Sequence, residues 1–317
     1  MDSPLRKEAV KYLVWGNKVG QVTDLEKQQS QYTKPLTEEM MGECLSLLTK
    51  VGKGLTYAYV KLQAKERALT DISILTGFIY LRYVDISVNY LQDISPLSNL
   101  SNLLWIQGDE NLLTSAQLSD LPYLQVANFA NNHIKDTEGI GHPLLKTLNL
   151  TGNEIDSISL DENKLTNLHT LQMGKNRLEN TAGLYFPTLV KLYLAGNKIT
   201  NIVGLDRLEN LQILHLRDNL LEHLDGFTAK MKSLNYLNLR GNAVATMPEL
   251  SNLKHLPSLK ALVLVENPCA ELEAYRLDIL IILPTLERLD KTQVTYEERM
   301  EHEKEVSERR STLKVGG

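Results

Sequence analysis

The sequence has few cysteines, few aromatic residues and no long hydrophobic run. Its 317 residues include only two cysteines, Cys44 and Cys269, which excludes a disulfide framework and favours a reducing compartment. The densest apolar stretch, residues 277–283, is broken by Asp278 and falls far short of the ~18 to 20 residues that a membrane-spanning helix needs. The first residues contain no apolar signal core. We therefore expect no membrane partner, and a location in the cytoplasm or cytoskeleton.

The sequence also lacks an excess of positive charge. Lys and Arg number 34 against 39 Asp and Glu, for a net charge of −5 and an isoelectric point near 5.9. This balance argues against a protein that binds nucleic acid through a broad basic face. Apolar residues make up 43% of the chain, more than a disordered chain carries. The composition therefore predicts a folded protein without a nucleic-acid partner.

Signatures of catalysis and metal binding are missing as well. The sequence contains no H-E-x-x-H, C-x-x-C, G-x-S-x-G or Walker-type motif. The nearest approaches to a phosphate loop are Gly174-Lys175-Asn176, in a predicted repeat turn, and Gly52-Lys53-Gly54, after a predicted cap helix. The seven histidines are dispersed along the chain. We expect no enzyme activity, no cofactor and no metal.

Leucine is abundant where phenylalanine, with four residues, is scarce, and the imbalance reflects an internal repeat. The template L-x-x-L-x-L-x-x-N-x-L matches residues 145–155 and 189–199 and continues on both sides. Its asparagines recur at intervals of 22, 21, 21, 23, 21, 22, 23 and 25 residues, at Asn89, Asn111, Asn132, Asn153, Asn176, Asn197, Asn219, Asn242 and Asn267. A tenth, degenerate copy precedes them, with Arg67 in place of the asparagine.

This spacing is the leucine-rich repeat pattern. Each unit starts as a short strand with alternate residues inward, and the coils stack to bury one continuous core. The asparagine amide can bond backbone groups that the turn would leave unpaired. The predicted fold is an α/β solenoid of about ten leucine-rich repeats of the 22-residue intracellular type, over residues 59–269, with N- and C-terminal caps. The short spacer leaves room for a turn or a 3₁₀ piece on the convex side.

A cap is predicted at the front of the solenoid, over residues 35–58. Thr37 can cap a helix that ends at Gly52 and Gly54. Its inward face would consist of Met41, Cys44, Leu45 and Leu48. Cys44 is therefore predicted to be a core residue.

A second cap is predicted at the back, over residues 270–292. After Asn267-Pro268 an apolar helix is expected from about Glu271 to Leu283, stopped by Pro284. This segment resembles the C-terminal cap of intracellular leucine-rich repeat proteins, including a dynein light chain and a spliceosomal subunit. Cys269 takes the place of a repeat leucine and is predicted to be buried.

The remaining segments lie outside the solenoid. Residues 1–34 form an arm that is partner-binding or flexible, with an apolar cluster in which Tyr12, Leu13 and Trp15 are candidate anchors. Residues 293–317 form a charged tail. Within this tail, residues 296–310 are predicted to form a solvated helix.

The repeat register predicts the residues on the concave face of the sheet. Residues six, four and two places before each asparagine point outward and form three columns, with neighbours about 4.8 Å apart across strands. Aromatic and arginine side chains often anchor protein interfaces. Two candidate protein-binding clusters emerge in these columns, one towards the N-terminal half with Tyr83, Asp85, Trp105 and Asp109, and one towards the C-terminal half with Tyr193, His215, Arg217, Tyr236 and Arg240.

Several stretches resemble one family of leucine-rich repeat proteins of motile cilia and flagella. The matching stretches are 35–41, 58–62, 81–87, 214–219, 231–242 and 286–291, within a similarity that covers roughly residues 35–292. The first 34 residues and the shorter charged tail depart from that family. The resemblance implies a component of the third axonemal radial spoke that helps to assemble the spoke head and supports ciliary and sperm motility. It implies spoke stalk and head proteins, and other axonemal proteins, as partners.

A second function is compatible with the same face. Nuclear leucine-rich repeat proteins of this repeat class regulate phosphatases, and the concave aromatic and arginine residues would suit that role too. Co-purification with a phosphatase catalytic subunit, instead of spoke proteins, would favour this alternative.

Overall fold

The computed structural model describes residues 33–52 and 56–301. Their strands form one 13-stranded sheet in which every strand pairs with its neighbours in chain order. The pairing is parallel from β2 to β12 and antiparallel at both ends. The strands are β1 Leu45–Lys50, β2 Tyr57–Gln63, β3 Tyr83–Asp85, β4 Trp105–Gln107, β5 Val126–Asn128, β6 Thr147–Asn149, β7 Thr170–Gln172, β8 Lys191–Tyr193, β9 Ile213–His215, β10 Tyr236–Asn238, β11 Ala261–Val263, β12 Arg288–Leu289 and β13 Thr292–Gln293.

The core lies behind this sheet and follows the repeat. In each short strand the middle residue is buried, as with Leu148 and Leu171, both fully shielded from solvent. The chain then returns along the convex side through turns and short 3₁₀ pieces such as Ser95–Asn99 and Leu205–Arg207. Each buried leucine contributes about 1.5–3 kcal/mol, and a lone coil could not bury its own. The predicted leucine-rich repeat solenoid is confirmed.

The asparagines form a hydrogen-bonded ladder between coils. The backbone N–H of Ile134 donates to Asn153 Oδ1 at 3.0 Å, and Asn153 Nδ2 donates to the carbonyls of Phe129 at 3.0 Å and Leu150 at 2.9 Å. This confirms the predicted role of the side-chain amide. Equivalent bonds are made by Asn89, Asn111, Asn132, Asn176, Asn197, Asn219, Asn242 and Asn267.

A carboxylate pairs the last strand donors. Asp290 Oδ1 accepts from the N–H groups of Leu264 at 2.7 Å and Val265 at 3.1 Å, whereas in earlier coils the leucine equivalent to Leu264 donates to a backbone carbonyl of the next coil, as Leu150 does to Gln172. Its Oδ2 accepts from the Tyr275 hydroxyl at 2.7 Å. The last coil therefore has its backbone donors satisfied by the cap.

The N-terminal cap differs from the single long helix that was predicted. Helix α1 covers Glu38–Cys44, and Thr37 caps it by accepting from the N–H of Met40 at 3.3 Å. The chain then enters β1, which pairs antiparallel with β2. Met41 and Cys44 are buried as predicted, but Leu48 is 57% exposed, so its predicted inward position is wrong. Pairing with β2 satisfies the edge of the first coil, and this outweighs the helical spacing of the leucines.

The C-terminal cap is shorter in its helix than expected. A 3₁₀ turn at Pro268–Glu271 precedes helix α3 (Tyr275–Ile282), while α2 (Met247–Leu250) lies in the longest repeat. The predicted start at Glu271 is therefore four residues too early. Cys269 is fully buried, as predicted.

The start of the charged tail is a mostly exposed helix, as predicted, and it is also anchored to this cap. Residues 296–301 are helical, and Glu298 forms an ion pair with Arg276. Arg299 donates to the carbonyls of Pro284 at 2.8 Å and Leu286 at 2.9 Å. Bonds to backbone carbonyls of the cap hold the first turn in place.

Some predicted features lie outside the described residues. These are the N-terminal anchors Tyr12, Leu13 and Trp15, the positions Lys53 and Gly54, and the tail beyond residue 301. In the part of the chain that is described, no helix has both the length and the apolar character to cross a membrane.

A buried histidine gives the solenoid a predicted pH dependence. His142 is 2% exposed, and its Nδ1 accepts from the N–H of Leu121 at 3.3 Å. Burial lowers the pKa of His142, and Lys164 lowers it further against an opposing effect of Asp120. Unfolding therefore takes up a proton, and the free energy of unfolding should fall by up to about 1.4 kcal/mol per pH unit below about pH 6.5.

The measurement is urea unfolding of the wild type and of His142→Asn between about pH 5 and 7. Asparagine keeps an acceptor for Leu121 but does not titrate, so the variant should show a flatter profile. The pKa of His215 is also lowered by burial and adds slope of the same sign in both proteins. Parallel profiles would contradict the prediction.

Candidate functional site

The concave face of the sheet carries the predicted columns in the predicted register. Lys61, Tyr83, Trp105 and Val126 are paired in succession across β2 to β5. The same alignment continues through Lys191, Ile213, Tyr236 and Ala261 at the other end. Hydrogen bonding between parallel strands fixes this register, so side chains from coils about 22 residues apart become neighbours.

Three rings of the C-terminal cluster stack along this face. Tyr193 and His215 lie in adjacent strands with ring centroids 4.9 Å apart and planes at 26°. Tyr236 approaches His215 from the other side at 5.1 Å and 32°. All three side chains are half-buried. Burial lowers the pKa of His215, so the imidazole is neutral at neutral pH and stacks as an uncharged ring.

Two arginines flank the ring stack, each paired with a carboxylate. Arg217 Nε lies 2.9 Å from Asp218 Oδ2. Arg240 holds Glu266 through two donors, with Nε 2.8 Å from Oε2. The Arg240 guanidinium lowers the pKa of Glu266, and Arg217 adds to the effect, so the four groups act as one charge cluster. Sequence reasoning missed both carboxylates because they lie in the turn row one place before the asparagines.

The N-terminal cluster is brought together less completely. Tyr83 and Trp105 are paired in adjacent strands. Asp85 is bonded within its own turn, because Oδ1 accepts from the N–H of Ser87 at 3.1 Å and from its hydroxyl at 2.7 Å. Asp109 contacts Gln107 and Asn128. These carboxylates already have local partners.

An exposed apolar patch beside this cluster was also missed. Tyr57 and Tyr59 share a face of β2 with Lys61 and are 60% and 47% exposed. Leu48 pairs with Tyr59 and is equally exposed. The alternation of Tyr57, Tyr59 and Lys61 is the sequence signal that indicates this extension of the concave face.

Among the described residues, we considered groups of metal ligands, the two cysteine thiols and the glycine-containing turn at 174–176. Within 33–52 and 56–301, no group of three or more His, Cys, Asp and Glu residues is placed to hold a metal ion. Cys44 and Cys269 are buried, and burial raises the pKa of both thiols, that of Cys269 to about 11. Both thiols are therefore protonated at neutral pH. Gly174-Lys175-Asn176 forms a repeat turn, as expected, with Asn176 in the ladder.

Sequence comparisons relate this chain to family models and to individual proteins. Leucine-rich repeat family models match residues 189–314 and 141–160. Human leucine-rich repeat-containing protein 23 is 58% identical over 268 residues, covering 84% of this chain and 78% of the human one. Human cilia- and flagella-associated protein 410 is 36% identical over 101 residues, 31% of this chain and 39% of that protein.

A solved structure supports the fold alone. The crystal structure of an internalin from Listeria monocytogenes aligns with a TM-score of 0.54 at 24% identity, covering 71% of this chain and 72% of the internalin. The match to the human relative carries more weight, because it is 58% identical and covers 84% of this chain. The chain belongs to the leucine-rich repeat-containing protein 23 family.

Proposed function

We propose that this protein is a non-catalytic scaffold of the axonemal radial spoke. In this role it sits in the third spoke, helps to assemble the spoke head and supports ciliary, flagellar and sperm motility. Its partners are stalk and head proteins of the spoke and other axonemal proteins. Its location is the cytoplasm and cytoskeleton of the cilium or flagellum.

The observation that carries the scaffold role is the concave face itself. A single sheet presents a half-buried ring stack and two arginines on a backbone fixed by the asparagine ladder. Rigid aromatic and arginine anchors suit protein binding because little conformational entropy is lost on contact. Three ring side chains and two guanidinium groups lie side by side over three coils. This arrangement supports a protein partner.

The ciliary setting is supported by likeness to other proteins. Part of the chain is similar to human cilia- and flagella-associated protein 410. The stretches quoted above resemble proteins of the radial spoke. The resembling stretches 81–87, 214–219 and 231–242 include strand residues of the concave face.

The location is tested by proximity labelling in motile ciliated cells. The full chain fused to a labelling enzyme should mark radial-spoke proteins above the level of a cytosolic fusion of the same enzyme. A density map of intact cilia would then place the solenoid within the spoke. Labelling that is confined to the cytosol or the nucleus would contradict the proposal.

The concave anchors are tested by partner capture. We expect Tyr236→Ala with Arg240→Glu to reduce capture of spoke proteins more than about tenfold, because each is a potential hot-spot residue. The matched control is Tyr123→Ala with Arg177→Glu, where Tyr123 is 52% exposed and Arg177 pairs with Glu154 away from the columns.

Unfolding curves establish that both double variants remain folded. Unchanged capture by a folded Tyr236/Arg240 variant would remove this cluster from the proposed interface. Capture of a phosphatase catalytic subunit without spoke proteins would favour the regulatory alternative instead.

A further inference from the structure

In the charge cluster beside the ring stack, the cations lie on the sheet and the carboxylates lie in the turn row at its rim. The cations Arg217 and Arg240 lie in the third concave column, while their partners Asp218 and Glu266 come from the turn row beside it. Arg240 is 28% exposed and Glu266 is 54% exposed. The arginine therefore lies against the sheet, and the carboxylate is the more solvated member of the pair.

The surrounding columns contain no competing negative charge. Across the described strands β5 to β11, the three concave columns hold Lys191, Arg217 and Arg240 but no Asp or Glu. The ring stack lies next to Ile213, Ala261 and Val263, and Asn238 lies between Tyr236 and Arg240. The face thus combines an apolar strip with two arginines.

The ion pairs on this face are weak enough to be exchanged. Asp218 and Glu266 are about half exposed, and an exposed pair contributes only about 0–1 kcal/mol. A carboxylate from a partner would be more shielded from water once the partner covers the sheet, and its bond to arginine would be stronger there. Release of the rim carboxylates to make way for those of a partner therefore costs little.

We infer that this face receives an acidic polypeptide segment with aromatic side chains, whose carboxylates displace Asp218 and Glu266 from Arg217 and Arg240. The aromatic side chain packs on the stack of Tyr193, His215 and Tyr236. The inference rests on the proposed function, because it names the chemistry of the partner at the same face. Asp218 and Glu266 then hold the two guanidinium groups in place until the partner binds.

A polypeptide fits this face better than a nucleic acid does. Nucleic-acid affinity depends on many phosphate contacts, and the columns from β5 to β11 provide three Lys and Arg side chains, two of them already paired.

The test uses the purified full chain and fluorescein-labelled copolymer of glutamate and tyrosine, with fluorescence anisotropy as the readout. Polyglutamate and polyuridine RNA of similar length are the comparison probes. We expect the glutamate–tyrosine copolymer to bind at least about threefold more tightly than polyglutamate, since aromatic contacts add to the charge contacts. RNA should bind more weakly than either polypeptide at the same salt concentration.

Two double variants test the exchange. Arg217→Gln with Arg240→Gln should weaken binding of the copolymer about tenfold or more. Asp218→Asn with Glu266→Gln should tighten it about three- to fivefold, because the arginines no longer have to be released. A role of these carboxylates in folding alone would not produce tighter binding.

The matched control removes the same charge elsewhere. Glu154→Gln with Asp206→Asn breaks ion pairs to Arg177 and Lys230 off the concave columns and changes the net charge equally. It should leave the affinity unchanged. Equal tightening by both carboxylate variants, equal affinity for the two polypeptides, or RNA binding as tight as copolymer binding would overturn the inference. Each of these results would leave the axonemal labelling experiment unaffected.

Discussion

Replacement of Asn153 by alanine should lower the free energy of unfolding by about 3–5 kcal/mol. The N–H of Ile134 donates to Asn153 at 3.0 Å and would be left unpaired in the core, a loss of about 1–3 kcal/mol. The carbonyls of Phe129 and Leu150 would each lose one bond, at about 1 kcal/mol, but keep a second from Asn132 and Asn176.

The measurement is urea unfolding of the full chain followed by circular dichroism. Asn163→Ala is the control, since Asn163 is exposed on the convex side, and its effect should stay within about 0.5 kcal/mol. Each coil contacts mainly its neighbours, so the Asn153 variant should also show an earlier transition in one half of the solenoid. A loss below about 1 kcal/mol would mean that the ladder contributes little to stability.

Replacement of Asp290 by alanine should have the second large effect, a loss of about 3–5 kcal/mol at the C-terminal end. The carboxylate accepts three hydrogen bonds, from the N–H groups of Leu264 and Val265 and from the Tyr275 hydroxyl. Burial raises the pKa of Tyr275, and the bond to Asp290 raises it further, so the phenol remains a donor. Without Asp290, all three donors would be left unpaired beside the core.

Two further variants separate the effect of the lost hydrogen bonds from the effect of backbone strain at position 290. Asp290 has a positive φ of 51°, which asparagine and glycine tolerate better than alanine. Asp290→Asn keeps an acceptor for the backbone donors and should lose only about 1 kcal/mol, whereas Asp290→Gly should lose nearly as much as alanine. Hydrogen exchange at Leu264 and Val265, together with urea unfolding, measures both effects. A stable glycine variant would assign the loss to backbone strain instead.

The concave columns could be read from the sequence because the repeat interval fixes them. Once Asn197, Asn219 and Asn242 are aligned, parallel pairing places Tyr193 beside His215 with no further information. The contact of Tyr236 with His215 was not predictable in the same way. The two residues occupy different columns as diagonal neighbours on adjacent strands, and the side-chain orientations bring their rings to 5.1 Å.

The pairing of Glu266 with Arg240 could not be predicted from the repeat spacing either. Glu266 lies 26 residues after Arg240, across the longest repeat, and belongs to the turn row. Its side chain lies next to Arg240 because the loop that contains α2 returns the chain to the turn row beside that arginine. Distances between side chains from adjacent coils depend on the loop geometry of each coil, and repeat spacing does not encode that geometry.

The solenoid, its register and its buried leucines follow from the sequence, because one strong period repeats along 59–269 and each copy needs its neighbours to bury its core. The structure of the two ends depends on tertiary contacts. At the front, the leucines at 45 and 48 fit a helix or a strand equally well, and pairing with β2 chose the strand. At the back, Asp290 and Arg276 found partners that are close in space but distant along the chain. Terminal coils lack a neighbour on one side, so their structure depends on which exposed backbone groups remain to be paired.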